Sequence, residues 1–227
     1  MISLLTMIIV RYGEIGTKSR QSRGRIEGKL VRNIKKAIGK KKIKRTYGRI
    51  YVESDSREDA EKISHVFGVV STSIAKKIGT DFDTIIDEGL DYALPIIKEN
   101  TTFAVRARRA GEHEFCSKDI AVALGAKIGG VTKAKVNLDS PDKTIYVEVR
   151  EDHAYLFDEI IKGVGGLPLG TQGAVVALVS GGIDSPVAAW MMMTRGADPV
   201  CLYMDNSPLV DERTVDRAIL AIEKLAE

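Results

Sequence analysis

Of the chain's 227 residues, 44% are hydrophobic and 29% charged, enough for one or two domains of ordinary size or three small ones, and no apolar run reaches membrane-spanning length. The net charge of +3 hides an asymmetry: residues 1–50 carry 15 Lys and Arg against Glu14 and Glu27, a net +13, while the rest carries 19 against 29 acidic residues, a net −10. A basic N-terminal piece on an acidic body points to a polyanion partner, or to a solvated helix face, and Cys116 and Cys201, far apart and without C-x-x-C spacing, argue for a reducing, cytoplasmic setting.

Met1–Val10 is apolar but has neither a basic leader nor a small-residue cleavage site. It therefore reads as the start of a first strand, over 4–12, and not as a signal peptide. Thr17 or Ser19 can cap a helix to Ile38, in which Ile26, Leu30, Ile34 and Ile38 form one apolar stripe. Arg20, Arg23, Lys29, Arg32, Lys35 and Lys36 fall largely on the other faces, and Gly39 ends the helix. Residues 43–53 give one or two strands, with Ile50 and Val52 on one face.

Near residue 58 the composition changes. Glu58–His65 reads as helix, Val66–Lys76 as extended chain, and Asp83–Lys98 as a helix with apolar Ile85, Ile86, Leu90 and Leu94. Thr101–Arg109 is a strand in which Phe103, Val105 and Ala107 alternate with Arg106 and Arg108. Ser117 is the expected cap of a helix through Ile128 that Gly129-Gly130 would stop. Val136–Leu138, Thr144–Arg150 and Ala154–Phe157 read as strands, joined by turns at Asp139-Ser140-Pro141-Asp142 and Glu151-Asp152-His153.

Residues 163–173 form a Gly-rich linker. Its glycine spacing does not fit the dinucleotide fingerprint G-x-G-x-x-G, and it precedes a strand where that fingerprint would follow one. Ala174–Val179 is then a short apolar run of the kind buried on both faces of a sheet. Ser180-Gly181-Gly182 turns, and Asp184-Ser185-Pro186 opens a helix to about Arg195. Such a corner aims free backbone N–H groups and the positive end of a helix dipole at one point, which makes it a phosphate site. It is not a Walker loop, because no Lys lies between Lys162 and Lys224. A strand over Val200–Met204 and a helix from about Arg213 follow. Cys201 and Cys116 read as buried small residues more readily than as sulfur carriers.

The string Ser180-Gly181-Gly182-Ile183-Asp184-Ser185 resembles the PP-loop of the ATP pyrophosphatases, which cut ATP between its α and β phosphates. Four further strings resemble the ThiI family, the tRNA 4-thiouridine synthetases or tRNA sulfurtransferases. They are Arg11-Tyr12-Gly13-Glu14-Ile15, Val105–Gly111, Val136–Asp142 and Lys162–Thr171. The resemblance covers essentially the whole chain. It implies an α/β and α+β multidomain fold: an N-terminal ferredoxin-like domain over 1–59, a THUMP RNA-binding domain over 60–165, the linker at 166–173, and the start of a Rossmann-like PP-loop domain over 174–227.

The activity so implied is thiolation of a tRNA uridine. O4 attacks the α-phosphate of ATP, pyrophosphate leaves, and a persulfide then displaces AMP. The implied ATP-binding residues are Leu178, Val179, Ser180, Gly181, Gly182, Asp184, Ser185, Tyr203 and Met204, with Asp184 catalytic through Mg²⁺ or by ordering the loop. Lys18, Arg20, Arg23, Arg25, Arg106, Arg108 and Arg109 are the RNA candidates; Tyr12 and Glu14 fit a structural role equally well. No protein ligand set for a resident metal is assigned. The implied cofactors are ATP and Mg²⁺, and the implied partners are tRNA and a persulfide donor such as a cysteine desulfurase. A link to the thiazole sulfur of thiamine also follows from the family. A PP-loop sheet has about five strands and two are legible here, so the expectation is a fragment, or an edge that a second subunit covers in a homodimer. The competing reading is a tRNA-binding protein with a catalytically weak nucleotide domain.

Overall fold

The computed structural model describes residues 6–17, 19–206 and 213–226. Along the chain the elements are β1 (Thr6–Arg11), a 3₁₀ turn (Glu14–Thr17), α1 (Arg20–Ile38), β2 (Ile43–Thr46), β3 (Arg49–Val52), α2 (Arg57–Ser64), β4 (Ser71–Ile78), α3 (Phe82–Ala93) and β5 (Thr102–Arg109). They continue as α4 (Ser117–Thr132), β6 (Lys135–Val136), β7 (Lys143–Val149), β8 (Ala154–Phe157), β9 (Ile161–Lys162), β10 (Ala174–Leu178), α5 (Asp184–Thr194), β11 (Asp198–Leu202) and α6 (Arg213–Ala226). Residues 4 and 5 of the expected first strand lie outside the described residues. Among the described residues no helix is long and apolar enough to cross a membrane.

The described residues form two compact units, one from 6–9, 51–57 and 73–160, the other from 10–50, 58–72 and 161–226. In the first, strands follow the order β3-β1-β4-β8-β7-β5-β6. β5 runs parallel to β6 and β7, and β8 is antiparallel to β7 and β4. Alternation sorts the side chains. Ile145, Val147, Val149, Ala154, Leu156, Phe103 and Val105 face a core shared with Ile85 and Ile86 of α3 and Ile120, Leu124 and Ile128 of α4. The opposite face carries Met7, Ile9, Tyr51, Ala75, Tyr155 and Phe157, with Tyr51 stacked on Tyr155 and Tyr146 on Phe157. Gly89 lets α3 approach α4, since a Cβ there would sit 2.8 Å from a Leu124 methyl.

Three helix ends differ from expectation. Cys116, not Ser117, caps α4, and its amide donates to Asp119 Oδ2 at 2.7 Å. The helix also runs through Gly129-Gly130 to Thr132, because the left-handed exit is taken by Lys133 at φ 61°, whose amide bonds Gly129 O; Ala134 is then buried. α3 stops at Ala93, since Pro95 has no N–H to continue it.

In the second unit α1 buries Ile26, Leu30 and Ile34, one per turn, while Ser19 Oγ accepts from Ser22 N and Gly39 leaves at φ 78°. Arg45 lies along this helix, its Nη1 3.5 Å from Gly24 O. β10 and β11 pair in parallel, Ala174 beside Asp198 through Leu178 beside Leu202, and α5 packs on both. Contrary to the expected burial on both faces, Val176 and Leu178 are 66% and 63% exposed. α5 covers one face of the pair, and these side chains point from the other.

Candidate functional site

The carboxyl ends of β10 and β11 lie side by side, and the phosphate-type loop springs from the first of them. Val179 is buried and its amide donates to Leu202 O at 2.9 Å, which extends the pairing one residue past each strand. Ser180 then turns the chain. Its amide donates to Ser185 Oγ at 3.0 Å, the two hydroxyl oxygens lie 3.2 Å apart, and Ser180 Oγ accepts from Gly182 N at 3.3 Å. The two serines thus clasp the loop across the first turn of α5. Ile183 precedes that helix and offers no side-chain cap, so the first N–H groups of α5 point outward unsatisfied by one.

Gly181 is required by contact: a Cβ there would meet Thr214 Cγ2 at 2.7 Å and Thr214 O at 2.8 Å. The first turn of α6 therefore backs the loop, a neighbour that sequence spacing did not signal. Asp184, at the first helical position, is exposed. Leu178 and Met204 are exposed and Tyr203 half-buried beyond the strand ends, so the structure gathers all nine nucleotide candidates at one edge. This is where open α/β sheets accept ligands. A separate pocket of about 350 Å³, lined by Leu167, Gln172, Val175, Met192, Arg195 and Ala197, lies toward the other end of β10 and does not touch the loop.

Among the described residues no three His, Cys, Asp or Glu side chains cluster to hold a metal ion. A lone carboxylate at Asp184 fits an ion carried in on phosphate oxygens and water, as Mg²⁺ commonly is, with one or two protein carboxylates. Neither cysteine matches the expected burial. Cys116 is exposed at a helix cap, and Cys201 is half-buried on a strand covered on one side.

The Gly-rich run before β10 is a packed brace. Gly163 N donates to Val70 O, Val164 N to Ser64 O, and Gly165 N to Val69 O, at 2.8, 3.1 and 2.7 Å. Beyond them Leu167 N donates to Thr194 O, and Thr171 N and Gln172 N to Gly196 O. Asn33 of α1 donates to Leu169 O at 3.2 Å. A Cβ on Gly163 would lie 2.3 Å from Val69 O, and one on Gly166 would lie 2.1 Å from Thr194 O. The brace holds the end of α5 against the chain that follows α2.

Of the basic candidates, Lys18 lies outside the described residues. Arg20 and Arg25 are exposed on α1, whereas Arg23 is engaged: its guanidinium lies 4.5 Å over the Tyr47 ring and 3.9 Å from Glu27. Tyr12 is structural. It is buried, donates to Glu27 Oε1 and accepts from Gly48 N at 3.1 Å, and burial with the Glu27 bond pushes its phenol above the ordinary value. Glu14 pairs with Arg195 at 3.0 Å.

In the first unit Arg106, Arg108 and Arg109 are all exposed on β5. Arg106 and Arg108 share the face opposite the helices, Arg106 in register with Tyr146, while Arg109 points to the other side. Arg106 donates to Leu138 O at 2.8 Å, and Arg109 to Gly111 O at 3.0 Å. The Val136–Asp142 string is local architecture: Asn137 Oδ1 accepts from Asp139 N and Ser140 N, and Asp142 Oδ2 from both Thr102 N and Thr102 Oγ1.

A Gly-rich strand-to-helix corner at the carboxyl edge of a parallel pair, in a chain with a basic helical piece and an Arg-bearing sheet, defines a multidomain protein of mixed α/β class. Comparison with known proteins gives the family. Three family models match in succession: the ThiI ferredoxin-like domain over residues 7–73, the THUMP domain over 79–159, and "Thiamine biosynthesis protein (ThiI)" over 170–227. A probable tRNA sulfurtransferase of Methanothermobacter thermautotrophicus is 43% identical over 227 residues, covering 97% of this chain and 58% of its own length. The crystal structure of PH1313 from Pyrococcus horikoshii Ot3 superposes with a TM-score of 0.83 at 33% identity, covering 97% of this chain and 74% of that one. A 4-thiouridine synthetase–RNA complex with bound ATP superposes with a TM-score of 0.78 at 32% identity, covering 98% and 58%. The chain belongs to the ThiI family, and it spans somewhat more than half the length of the curated relative it matches.

Proposed function

We propose that this chain carries the RNA-binding units and the ATP phosphate loop of a tRNA sulfurtransferase that makes 4-thiouridine in the cytoplasm. The observation that carries the reading is the clasped loop Ser180–Ser185 at the carboxyl edge of β10 and β11, in a chain whose relative of known structure was crystallised with RNA and ATP. In this reading residues 1–59, 60–165 and 174–227 are the ferredoxin-like, THUMP and PP-loop domains.

The chemistry follows from the leaving group. Uracil O4 departs poorly, and transfer of AMP to it makes it a good leaving group. O4 attacks the α-phosphorus, the bond to the bridging oxygen of the β-phosphate breaks, and pyrophosphate leaves with the electron pair. Charge grows on the phosphates as this happens, so donors already fixed in place favour the transition state over the ground state. The loop amides and the Ser180 and Ser185 hydroxyls are placed as such donors, and the backbone about Leu178, Val179, Tyr203 and Met204 flanks the nucleoside. A bare carboxylate at Asp184 would repel the phosphates of ATP; it would instead hold Mg²⁺, which would supply charge neutralisation there. The outer sulfur of a persulfide from a donor such as a cysteine desulfurase then attacks C4 and expels AMP; a second thiol attacks the carrier's inner sulfur, the S–S bond breaks, a disulfide forms on the carrier and the outer sulfur stays on C4. The same sulfur relay would serve thiamine thiazole synthesis, and a homodimer would cover the open face of β10 and β11.

The test uses the protein at its full natural length. Unmodified tRNA added with ATP is expected to release pyrophosphate, and Asp184→Ala to lower that release by about 100-fold or more while tRNA affinity stays within about twofold. Salt-sensitive tRNA binding with no pyrophosphate release by the parent protein would favour an RNA-binding protein with a weak nucleotide domain.

A further inference from the structure

The tip of the β2–β3 hairpin carries an aromatic side chain where turn chemistry does not ask for one. Tyr47 precedes Gly48, which supplies the positive φ of 76° that the turn needs. The ring is 75% exposed, the most exposed aromatic side chain among the described residues. Its position is nonetheless fixed. Gly48 N donates to the buried Tyr12 hydroxyl, and Arg49 Nη1 donates to Gly48 O at 2.7 Å. Tyr12 is tied in turn to Glu27, the residue that also pairs with Arg23. Arg23 lies against one face of the Tyr47 ring. Glu27 thereby orders both the turn beneath the ring and the cation beside it.

A ring with a guanidinium on one face and water on the other is a stacking site with one open side. The surroundings choose the occupant. Lys44 and Arg45 precede the ring and are exposed, Arg20 and Arg25 are exposed on α1, and residues 1–50 carry a net +13. Cations beside an open aromatic face fit a polyanion that also offers planar groups, which a nucleic acid does and an acidic peptide does not. In a paired RNA helix each base is already stacked on its neighbours, so only an unpaired nucleotide can present a face to the ring.

We infer that Tyr47, backed by Arg23, is a stacking platform for an unpaired RNA base. This rests on the RNA-binding reading above and adds to it a residue and a nucleotide state. The ring binds the base, the flanking cations hold its phosphates, and Tyr12 and Glu27 are positioning residues.

The experiment compares two RNAs with the full-length protein: a mixed-sequence single strand of about ten nucleotides, and a blunt, fully paired duplex. Tyr47→Ala is expected to weaken single-strand binding by about 5- to 150-fold, the range for losing one base–aromatic stack. Duplex affinity is expected to stay within about twofold, and the salt dependence of single-strand binding to keep its slope, because no charge is lost. Tyr47→Phe keeps single-strand affinity, since stacking uses the ring. An unchanged thermal midpoint in Tyr47→Ala separates these effects from unfolding. Unchanged single-strand binding by Tyr47→Ala, or equal losses on both RNAs, overturns the inference and leaves the RNA-binding reading standing. A parent protein that binds neither RNA overturns both. Loss of binding to anionic vesicles with RNA affinity unchanged assigns the tip to a lipid surface and overturns it as well.

Discussion

Tyr12 shows how one hydroxyl can organise a surface. It donates to Glu27 on α1 and accepts from the Gly48 amide in the hairpin turn, so helix and turn share one buried oxygen. The Glu27 carboxylate makes the first bond charge-assisted, and burial keeps the phenol neutral well past its ordinary range. Tyr12→Phe keeps the ring and its packing but strands the Gly48 amide and one carboxylate oxygen. The expected loss is about 1–3 kcal/mol, the usual range for orphaning such partners, read as a lower denaturant midpoint with an unchanged slope. A double-mutant cycle with Glu27→Gln should show coupling, since Tyr12→Phe removes the bond whose charge assistance Glu27→Gln takes away. Additive effects would mean that Tyr12 acts through packing alone.

At the scale of elements, the phosphate loop and the glycine brace make a useful contrast in what a sequence reveals. The strand, the turn and the opening of α5 are contiguous, so their local chemistry is legible in Leu178–Pro186 by itself. Thr214, which closes the back of the loop, is thirty-odd residues further along and leaves no local trace. The brace is legible as glycine but not as structure, because its carbonyl partners come from two separate stretches, Ser64 to Val70 and Thr194 to Gly196. The runs at 174–179 and 200–204 read as strands, and the second lies two residues earlier in the structure, at Asp198–Leu202; apolarity states a need for cover without naming the cover, and both strands keep one bare face. The helix at 117–132 passes its glycines because a later residue, Lys133, makes the left-handed exit. The brace also permits a clean comparison. Gly165 and Gly166 both have positive φ, 71° and 73°. A Cβ on Gly165 meets nothing within 4 Å, while one on Gly166 collides with Thr194 O. Gly165→Ala should therefore cost only the left-handed penalty, about 1–2 kcal/mol. Gly166→Ala must also displace the brace from the end of α5 and break the Leu167–Thr194 bond, so about 3 kcal/mol or more is expected. Equal midpoints for the two variants in denaturant would show that the brace yields without cost.

Over the whole molecule, the groups whose ionisation differs between folded and unfolded states set the limits of stability in pH. Among the described residues four carboxylates, all in the first unit, are held below their ordinary range by donors. Asp81 accepts from Thr84, Asp119 from the Cys116 amide, Asp142 from the Thr102 amide and hydroxyl, and Glu159 from Arg57. A lowered folded value means that the unfolded chain binds more protons as pH falls. Their contribution is therefore full above the ordinary carboxylate values, near 4, and is lost as pH drops through the folded ones. Tyr12, Tyr92 and Tyr155 work at the other end: burial first, then Glu27, Asp158 and Tyr51 respectively, raises each phenol. Their contribution is full below about 10, where unfolded phenols begin to ionise, and is lost as pH climbs toward the folded values. The expected profile is a plateau from about pH 5 to 9 with a fall on each side. Denaturant midpoints followed by circular dichroism from acid to alkaline pH would trace it. The acid limb can be assigned with one substitution: Asp142→Asn keeps the shape of the side chain but not its charge, so the variant should be less stable than the parent at pH 7 and the gap should close as the parent's own carboxylate is protonated. A gap that stays constant down to pH 2 would place the effect in packing about Thr102 and not in the charge.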